Sequence, residues 1–291
     1  MDDLIDEANE DLKVLETAVL AGIIASIDLE FNLLLEEISA QLQSGQLLLE
    51  GSEMRALELI DPLLPGETDR FLDLFERLLQ RSTTAGLDLA GELSKPVVSS
   101  PLAVSIPAES LELEARRARG YLEQQGRSFT DTVTGLISSG FIAGLAVSEI
   151  LKQLRKRLDV VKSRTEVIVR TESLKAFNKA GRNYYAQNNV QLVVYYATPD
   201  DRTCPYCAAQ AGRVFKLGAI TVPRHPNCRC VLVPYATNQY ETSAFYDRNR
   251  RNHRKAVLSY ARSKGIQLDE GPAYFEQLRP LPSRKDGQEE G

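Results

Sequence analysis

The chain has 291 residues, 43% apolar and 26% charged, which excludes a wholly disordered polymer and leaves room for two modest domains or for one domain with extended arms. It contains no Trp and only 7% aromatic residues, which argues against stacking platforms for bases or sugars. The net charge of −5 hides a split, because residues 1–95 hold 21 Asp/Glu against 6 Lys/Arg while the remainder holds 19 against 29; one end is acidic and the other basic, a distribution that suits assembly between unlike surfaces or contact of the basic part with nucleic acid.

The chain opens Met1-Asp2-Asp3 without the basic stretch of a secretory signal. Its longest apolar run, Ala18 to Ile27, is 10 residues, too short to span a bilayer. A cytosolic origin is therefore expected, where thiols stay reduced and clustered cysteines favour a metal over a disulfide. Helix is predicted over the first 60 residues from a stripe of Leu4, Ala8, Leu12, Leu15, Val19 and Ile23, continued by Ile27, Phe31, Leu34, Ile38 and Leu42. Gly45, Asp61-Pro62 and Pro65-Gly66 read as breaks. Thr68 or Asp69 caps a second helix carrying Phe71, Leu72, Phe75, Leu78 and Leu79. These stripes suit packing within the chain or against a partner helix.

Residues 95–108 contain three prolines and no helical period, so they read as a linker or extended strap. Helix resumes near Ser110 and runs past Tyr121; Gly126 and Ser128 mark a break, and Ser128 or Thr130 caps the next helix. Residues 130–185 are predicted largely helical, with Val147, Ile150, Leu151, Leu154, Leu158 and Val161 on one face and Lys152, Arg155, Lys156, Arg157, Lys162 and Arg164 on the other. Such a basic amphipathic helix can meet nucleic acid, a membrane surface or an acidic partner, or present a solvated lysine-rich face. The period then changes to that of strands at Val190–Ala197, Arg213–Leu217 and Arg229–Pro234. A polar helix is predicted from Tyr240 to Ser263, with a disordered tail at the end. The expected class is α+β and mainly α, with long N-terminal and central helices and a small β-sheet near the C-terminus. The expected division is an acidic helical region 1–95, a linker 96–108, a central domain 109–236, and a basic helix with tail 237–291.

All four cysteines fall within 27 residues, as Cys204-Pro-Tyr-Cys207 and His225-Pro-Asn-Cys228-Arg-Cys230. Cys-x-x-Cys lets two thiolates face one ion, and His225 with Cys228 or Cys230 completes a tetrahedral set, so five candidates compete for four places on a structural zinc. Reduced packed thiols, or disulfides formed on oxidation, are the competing readings. Ala208 stands where a zinc knuckle often has glycine, and Cys-x-Cys is an uncommon second half. A catalytic zinc needs an open position and a nearby base, and the stretch before Cys204 offers no histidine. A redox Cys-x-x-Cys needs a βαβ setting that is lacking here. No catalytic residue is assigned. His253, within the basic stretch Arg248 to Lys255, is expected at the surface.

Together, the helix ending in Arg170-Thr171-Glu172, the next stretch with Asn178, Ala180, Gly181 and Arg182, the Thr198-Pro-Asp-Asp201-Arg202-Thr-Cys204-Pro-Tyr-Cys207 turn, Gly212-Arg-Val-Phe215 and the Pro223-Arg-His225-Pro-Asn-Cys228-Arg-Cys230 ending resemble the phage head morphogenesis family of Mu F-like minor head proteins. The resemblance covers roughly residues 109–236. Where members often have Trp in the strand before the turn, this chain has Tyr195 and Tyr196. The resemblance implies a non-enzymatic minor capsid component at the portal vertex of the virion, assembled in the host cytoplasm. Its partners would be the portal protein, other head proteins and packaged DNA, without a membrane or a small-molecule substrate, and it would aid head assembly and DNA retention or ejection. Arg170, Thr171, Glu172, Asp201 and Arg202 are expected in structural roles, because Arg170 and Glu172 lie two apart and face different sides of a helix. Lys152, Arg155, Lys156, Arg250 and Arg251 are the candidate nucleic-acid contacts. A zinc-stabilised DNA-binding protein and a virion-delivered effector enzyme are the alternative readings.

Overall fold

The structure is a computed structural model. It describes residues 2–43, 69–96, 98, 101–104, 112–117, 119–121, 124, 131–133, 135, 136, 139, 140, 143, 145–235 and 240–269. The elements run α1 (Asp2–Gln43), α2 (Asp69–Ser94), α3 (Val147–Gln187), β1 (Leu192–Tyr196), α4 (Pro205–Gln210), β2 (Val214–Lys216), β3 (Val231–Tyr235) and α5 (Tyr240–Ser263). The class is mainly α with one small antiparallel sheet, as expected. The breaks predicted at Gly45, Asp61-Pro62, Pro65-Gly66, Gly126 and Ser128, the caps at Thr68 and Thr130, the helix start at Ser110 and the terminal tail 280–291 lie outside the described residues.

The chain divides into two compact units, one of residues 1–13, 80–107 and 173–291, the other of 14–79 and 108–172. In the second unit, α1 buries Leu20, Ile23, Ile27, Phe31 and Leu35, α2 buries Phe75, Leu78 and Leu79, and α3 buries Ile150, Leu154, Leu158 and Val161. These are steps of three, four and seven that place the residues on one face of each helix. Lys162 of α3 pairs with Asp28 of α1. The predicted stripe of α1 is corrected at its start: Leu4 is 40% exposed, and Ile5 is buried in its place. The buried line runs Ile5, Asn9, Leu12, Glu16, Leu20; its two polar members break the apolar-only pattern and shift the reading by about one residue.

In the first unit the three-stranded sheet has the order β2-β1-β3. β1 is central and antiparallel to both neighbours, with Val194 opposite Val214 on one side and Val233 on the other. All of β3 and most of β1 are buried, which explains why these strands read as continuous Val/Leu/Tyr runs rather than as alternation. Pro234 lacks a backbone donor and sits on edge strand β3, where prolines are tolerated. Helix α3 stops where Asn189 adopts φ of 58° and the Val190 N–H reaches back to the Tyr185 carbonyl at 2.9 Å, a C-terminal motif that Asn supports. Buried Tyr185 donates to the Leu232 carbonyl at 3.0 Å, tying α3 to β3, and Tyr246 of α5 donates to the Leu93 carbonyl of α2 at 2.8 Å. In the strap, Val98 and Val104 pack on the core, and the Leu102 N–H donates to the Asn188 side chain at 2.8 Å.

Backbones approach closely where α2 meets the C-terminal turns of α3. A Cβ on Gly86 would lie 2.1 Å from the Phe177 carbonyl oxygen, whereas one on Gly120 would meet nothing within 4 Å. Gly86→Ala is expected to destabilise the protein by about 1–3 kcal/mol through overpacking. Gly120→Ala, at an open helical position, should be neutral or stabilising by up to about 1 kcal/mol. Thermal melts of the two variants against the parent protein check this; equal melting temperatures would refute the close α2–α3 packing.

Candidate metal centre

Strand β1 ends in a turn that its own side chains build. The Asp200 carboxylate accepts from the Arg202 N–H at 2.9 Å. Thr203 Oγ1 accepts from the Asp200 N–H at 2.9 Å and donates to the Thr198 carbonyl at 2.6 Å. Thr198 Oγ1 in turn donates to the Arg229 carbonyl at 2.9 Å, joining the two cysteine-bearing arms. Of the two predicted turn residues, Arg202 takes part through its backbone and Asp201 is exposed; Asp200 closes the turn. Its acidic side chain bonds the backbone two residues ahead, as a turn of the sequence Asp200-Asp201-Arg202-Thr203 can.

Cys204 then serves as the N-cap of α4, its sulfur accepting from the Cys207 N–H at 3.3 Å, with Pro205 in the first helical turn. The predicted tight turn is therefore corrected to a short helix. This accounts for Ala208 where a knuckle would have glycine, because a residue in right-handed helix needs no left-handed freedom. Cys204 is half-buried while Cys207, Cys228 and Cys230 are buried, and all four are free thiols. Cys207 Sγ lies 3.2 Å from His225 Nε2 and 4.0 Å from Cys228 Sγ. Two donor groups result, Cys204–Cys207–His225 and Cys207–Cys228–Cys230, each with its ligand atoms within 4.8 Å of one another, and Cys207 belongs to both.

Hydrogen bonding sorts the thiols. Cys204 is held down to about 6, led by its hydrogen bond with the Cys207 side chain; burial opposes this, and the N–H groups of Cys207 and Tyr206 add to it. Cys228 is held down to about 2, led by the Cys207 and Cys230 side chains, with the Arg224 and Cys230 N–H groups adding. Cys207 is pushed up, first by the hydrogen bond with Cys204 and then by those with Cys228 and Cys230. Burial is the main force raising Cys230. Backbone donors thus favour the ionised form at Cys204 and Cys228, while Cys207, between them, is pushed the other way. Tyr195 completes the surroundings. Its hydroxyl stands 3.2 Å from Cys207 Sγ, with either atom able to donate, and burial, the first cause, pushes its own ionisation far up.

These residues fit a metal. Two thiolates on one tetrahedral zinc, with bonds of about 2.3 Å, stand roughly 3.8 Å apart, close to the 4.0 Å between Cys207 and Cys228. His225 Nδ1 lies 2.8 Å from the Pro226 carbonyl. A carbonyl only accepts, so Nδ1 carries the hydrogen and Nε2 turns its lone pair towards the sulfurs, the orientation that metal-binding histidines obtain from a backbone partner. The group is thus able to hold a metal ion, with the first arm supplied by α4 and the second by the loop leading into β3.

The centre is braced from outside. The buried Asn178 side chain donates to the Cys230 carbonyl at 3.2 Å and to the Leu174 carbonyl at 3.1 Å, linking α3 to the second arm. Arg254 of α5 donates to the Ala209 and Ala211 carbonyls at 3.0 and 2.7 Å, closing the C-terminal end of α4. Gly212, at φ of 71°, lets α5 come close: a Cβ there would lie 2.5 Å from the Arg250 carbonyl. The expectation for His253 is corrected, for it is buried. It stacks on Tyr196 with ring centroids 3.6 Å apart, and its Nε2 accepts from the Ala197 N–H at 3.2 Å. Basic neighbours hide its place on the inward line Tyr246, His253, Val257, Ala261, whose spacing of seven, four and four is the signal that could have found it.

In the other predicted set, Arg170 pairs with Glu166 one turn earlier, Thr171 donates to the Val167 carbonyl at 2.6 Å, and Glu172 is buried. Lys152, Arg155 and Lys156 are exposed on α3, Lys152 lying 3.6 Å from Glu149. Arg250 is half-buried and Arg251 exposed; both pair with the buried Asp247 of α5, and Arg250 also donates to the Gly212 carbonyl at 3.4 Å. The lysine-bearing set and the Arg250–Arg251 pair belong to different units.

Among the described residues, no helix is long and apolar enough to cross a membrane. No match is found among curated proteins or among solved structures. Residues 131–233 match the model of a protein family described as Phage Mu protein F like protein. That family suggests a minor head protein of phage head morphogenesis, found in the virion among other head proteins, and a structural rather than a catalytic part. The match begins ahead of α3 and ends inside β3, taking in both arms of the cysteine/histidine centre, and over this stretch it supports the Mu F-like family of phage head proteins.

Proposed function

We propose that this protein is a minor head protein of a tailed bacteriophage, acting without catalysis at the portal vertex, and that its Mu F-like domain, read as residues 109–236, is stapled by one structural zinc. The observation that carries the reading is the coincidence of the family match with a cysteine/histidine group built to hold a metal. Cys204, Cys207, His225 and Cys228 are the favoured ligands. Cys204 and Cys228 each receive two backbone N–H groups, and Cys207 and His225 lie between the arms, whereas Cys230 is buried on the entry to β3. A zinc there would join α4 to the approach of β3 and so hold both ends of the loop against β1. Four protein donors leave no open position for water, which fits a structural staple.

Elemental analysis of the purified protein is expected to find about one zinc per chain. Cys204→Ser and Cys228→Ser should lose the metal and melt at lower temperature, while Cys230→Ser retains it. Metal-free protein with an unchanged melt in all three variants would rule out the zinc and leave the family assignment standing.

The portal placement draws on the family and on the acidic α1, which holds eleven Asp/Glu and one Lys and suits a basic docking surface on a neighbouring head protein. The full chain is expected to co-purify with portal protein and to be found in virions by mass spectrometry. Presence in virions without portal binding would move it elsewhere in the head.

A part in DNA retention or ejection draws on the exposed Lys152, Arg155 and Lys156, joined by Arg251 and, less accessibly, Arg250. Binding of duplex DNA by the full chain should weaken steeply with salt, and replacing the three α3 cations by Glu should flatten that slope by roughly three. An unchanged slope would end the DNA role for this helix.

A further inference from the structure

Helix α1 carries a second apolar face that its core packing does not use. Val14, Leu29 and Leu33 are 67, 64 and 58% exposed, and the exposed Ala18, Ala21 and Ala25 fill the steps of three and four between Val14 and Leu29. This line lies roughly opposite the buried Leu20, Ile23, Ile27 and Phe31. The small residues in its middle would let another backbone come near, and Leu29 and Leu33 stand up as a ridge at one end. Glu36, exposed and seven residues beyond Leu29, shares the face.

The same compact unit carries a matching receptor. A groove of about 670 Å³ is lined by Tyr121, Val160, Val167, Ile168, Asp159 and Arg164. Arg157 and Arg164 are exposed and seven residues apart, so they stand together on the groove's side of α3. From Val147 to Arg164 this helix has six basic residues against two acidic, where the part of α1 in this unit, Val14 to Gln43, has none against five. The ion pair Lys162–Asp28 already joins the two helices within one chain. The ridge lies on an acidic stretch of α1 and the groove beside a basic stretch of α3, so on this unit the two are complementary in charge.

We infer that the ridge Val14–Leu33 of one copy seats in the Val160–Ile168 groove of a second copy of this chain, and reciprocally, forming a two-fold dimer. A self-complementary pair of patches closes under two-fold symmetry and buries both at once. The stretch Val14–Gln43 carries five Asp/Glu and no Lys or Arg, which turns it away from nucleic acid. The groove gives the ridge what a second acidic helix could not, namely Arg157 and Arg164 to meet Glu36. The dimer owes nothing to the family match or to the cysteine/histidine centre, so it stands or falls apart from the phage-head reading.

Light scattering on the full chain at about 100 μM in low salt, a concentration roughly a hundredfold above a micromolar dissociation constant, is expected to give twice the 32.4 kDa chain mass. Leu29→Lys with Leu33→Lys, and separately Arg157→Glu with Arg164→Glu, should each weaken association by roughly tenfold or more. Both changes lie at exposed positions, and far-ultraviolet circular dichroism checks that the fold is kept; if the lysine pair unfolds the chain, Leu29→Gln with Leu33→Gln takes its place. An equimolar mixture of the lysine and glutamate variants should recover dimer, because the altered ridge then faces an altered groove of opposite charge. A monomeric parent, a dimer that survives either double substitution, or a mixture that stays monomeric would each overturn the inference; a monomer that captures a different head protein through the ridge would assign the face to that protein.

Discussion

Cys207 is the donor shared by both cysteine/histidine groups, and the arrangement of the first unit depends on holding its sulfur in place. It stands on α4, whose start is fixed by Cys204 and the Asp200 turn and whose end is fixed by Arg254. It faces Tyr195 at the centre of β1 and His225 and Cys228 on the far arm. A small sheet with few residues per strand buries little apolar surface. Fixing the two arms to each other at one sulfur supplies the cross-link that such a sheet lacks.

Much of this was legible because it rests on rare residue types or on long periods. Four cysteines and a histidine packed into one stretch point to a shared site wherever the chain folds. The strands were visible as Val/Leu/Tyr runs at β1 and β3, and α5 as a polar helix over Tyr240–Ser263, matching its bounds. The helices α1 and α3 carry enough turns for a period to show.

What was hidden is short, or is decided by tertiary contact. Helix α4 has six residues, Pro205 to Gln210, fewer than two turns, so it carries no readable period. The inward phase of α1 was blurred because Asn9 and Glu16 are buried on it; a buried polar residue looks like an exposed one until its partners are known. Asn9 illustrates the point, since its side chain reaches Thr198 at 3.4 Å, far along the chain. His253 was obscured by charge, since arginines on several sides of the helix mask the inward line that it shares with Tyr246, Val257 and Ala261.

Helix α5 lies beyond the family match, which ends at residue 233, and yet it supplies the arginine that closes α4 and the histidine that receives the Ala197 N–H. The boundary recognised in sequence and the boundary at which the structure becomes self-sufficient are therefore different places. A fragment cut at the end of the matched segment would keep every sulfur and the imidazole of the centre but lose the wall behind them, leaving the carbonyls of Ala209 and Ala211 and the face of Tyr196 to water. The centre is in this sense not a portable cassette: it is a joint whose outer half arrives only when α5 has been synthesised.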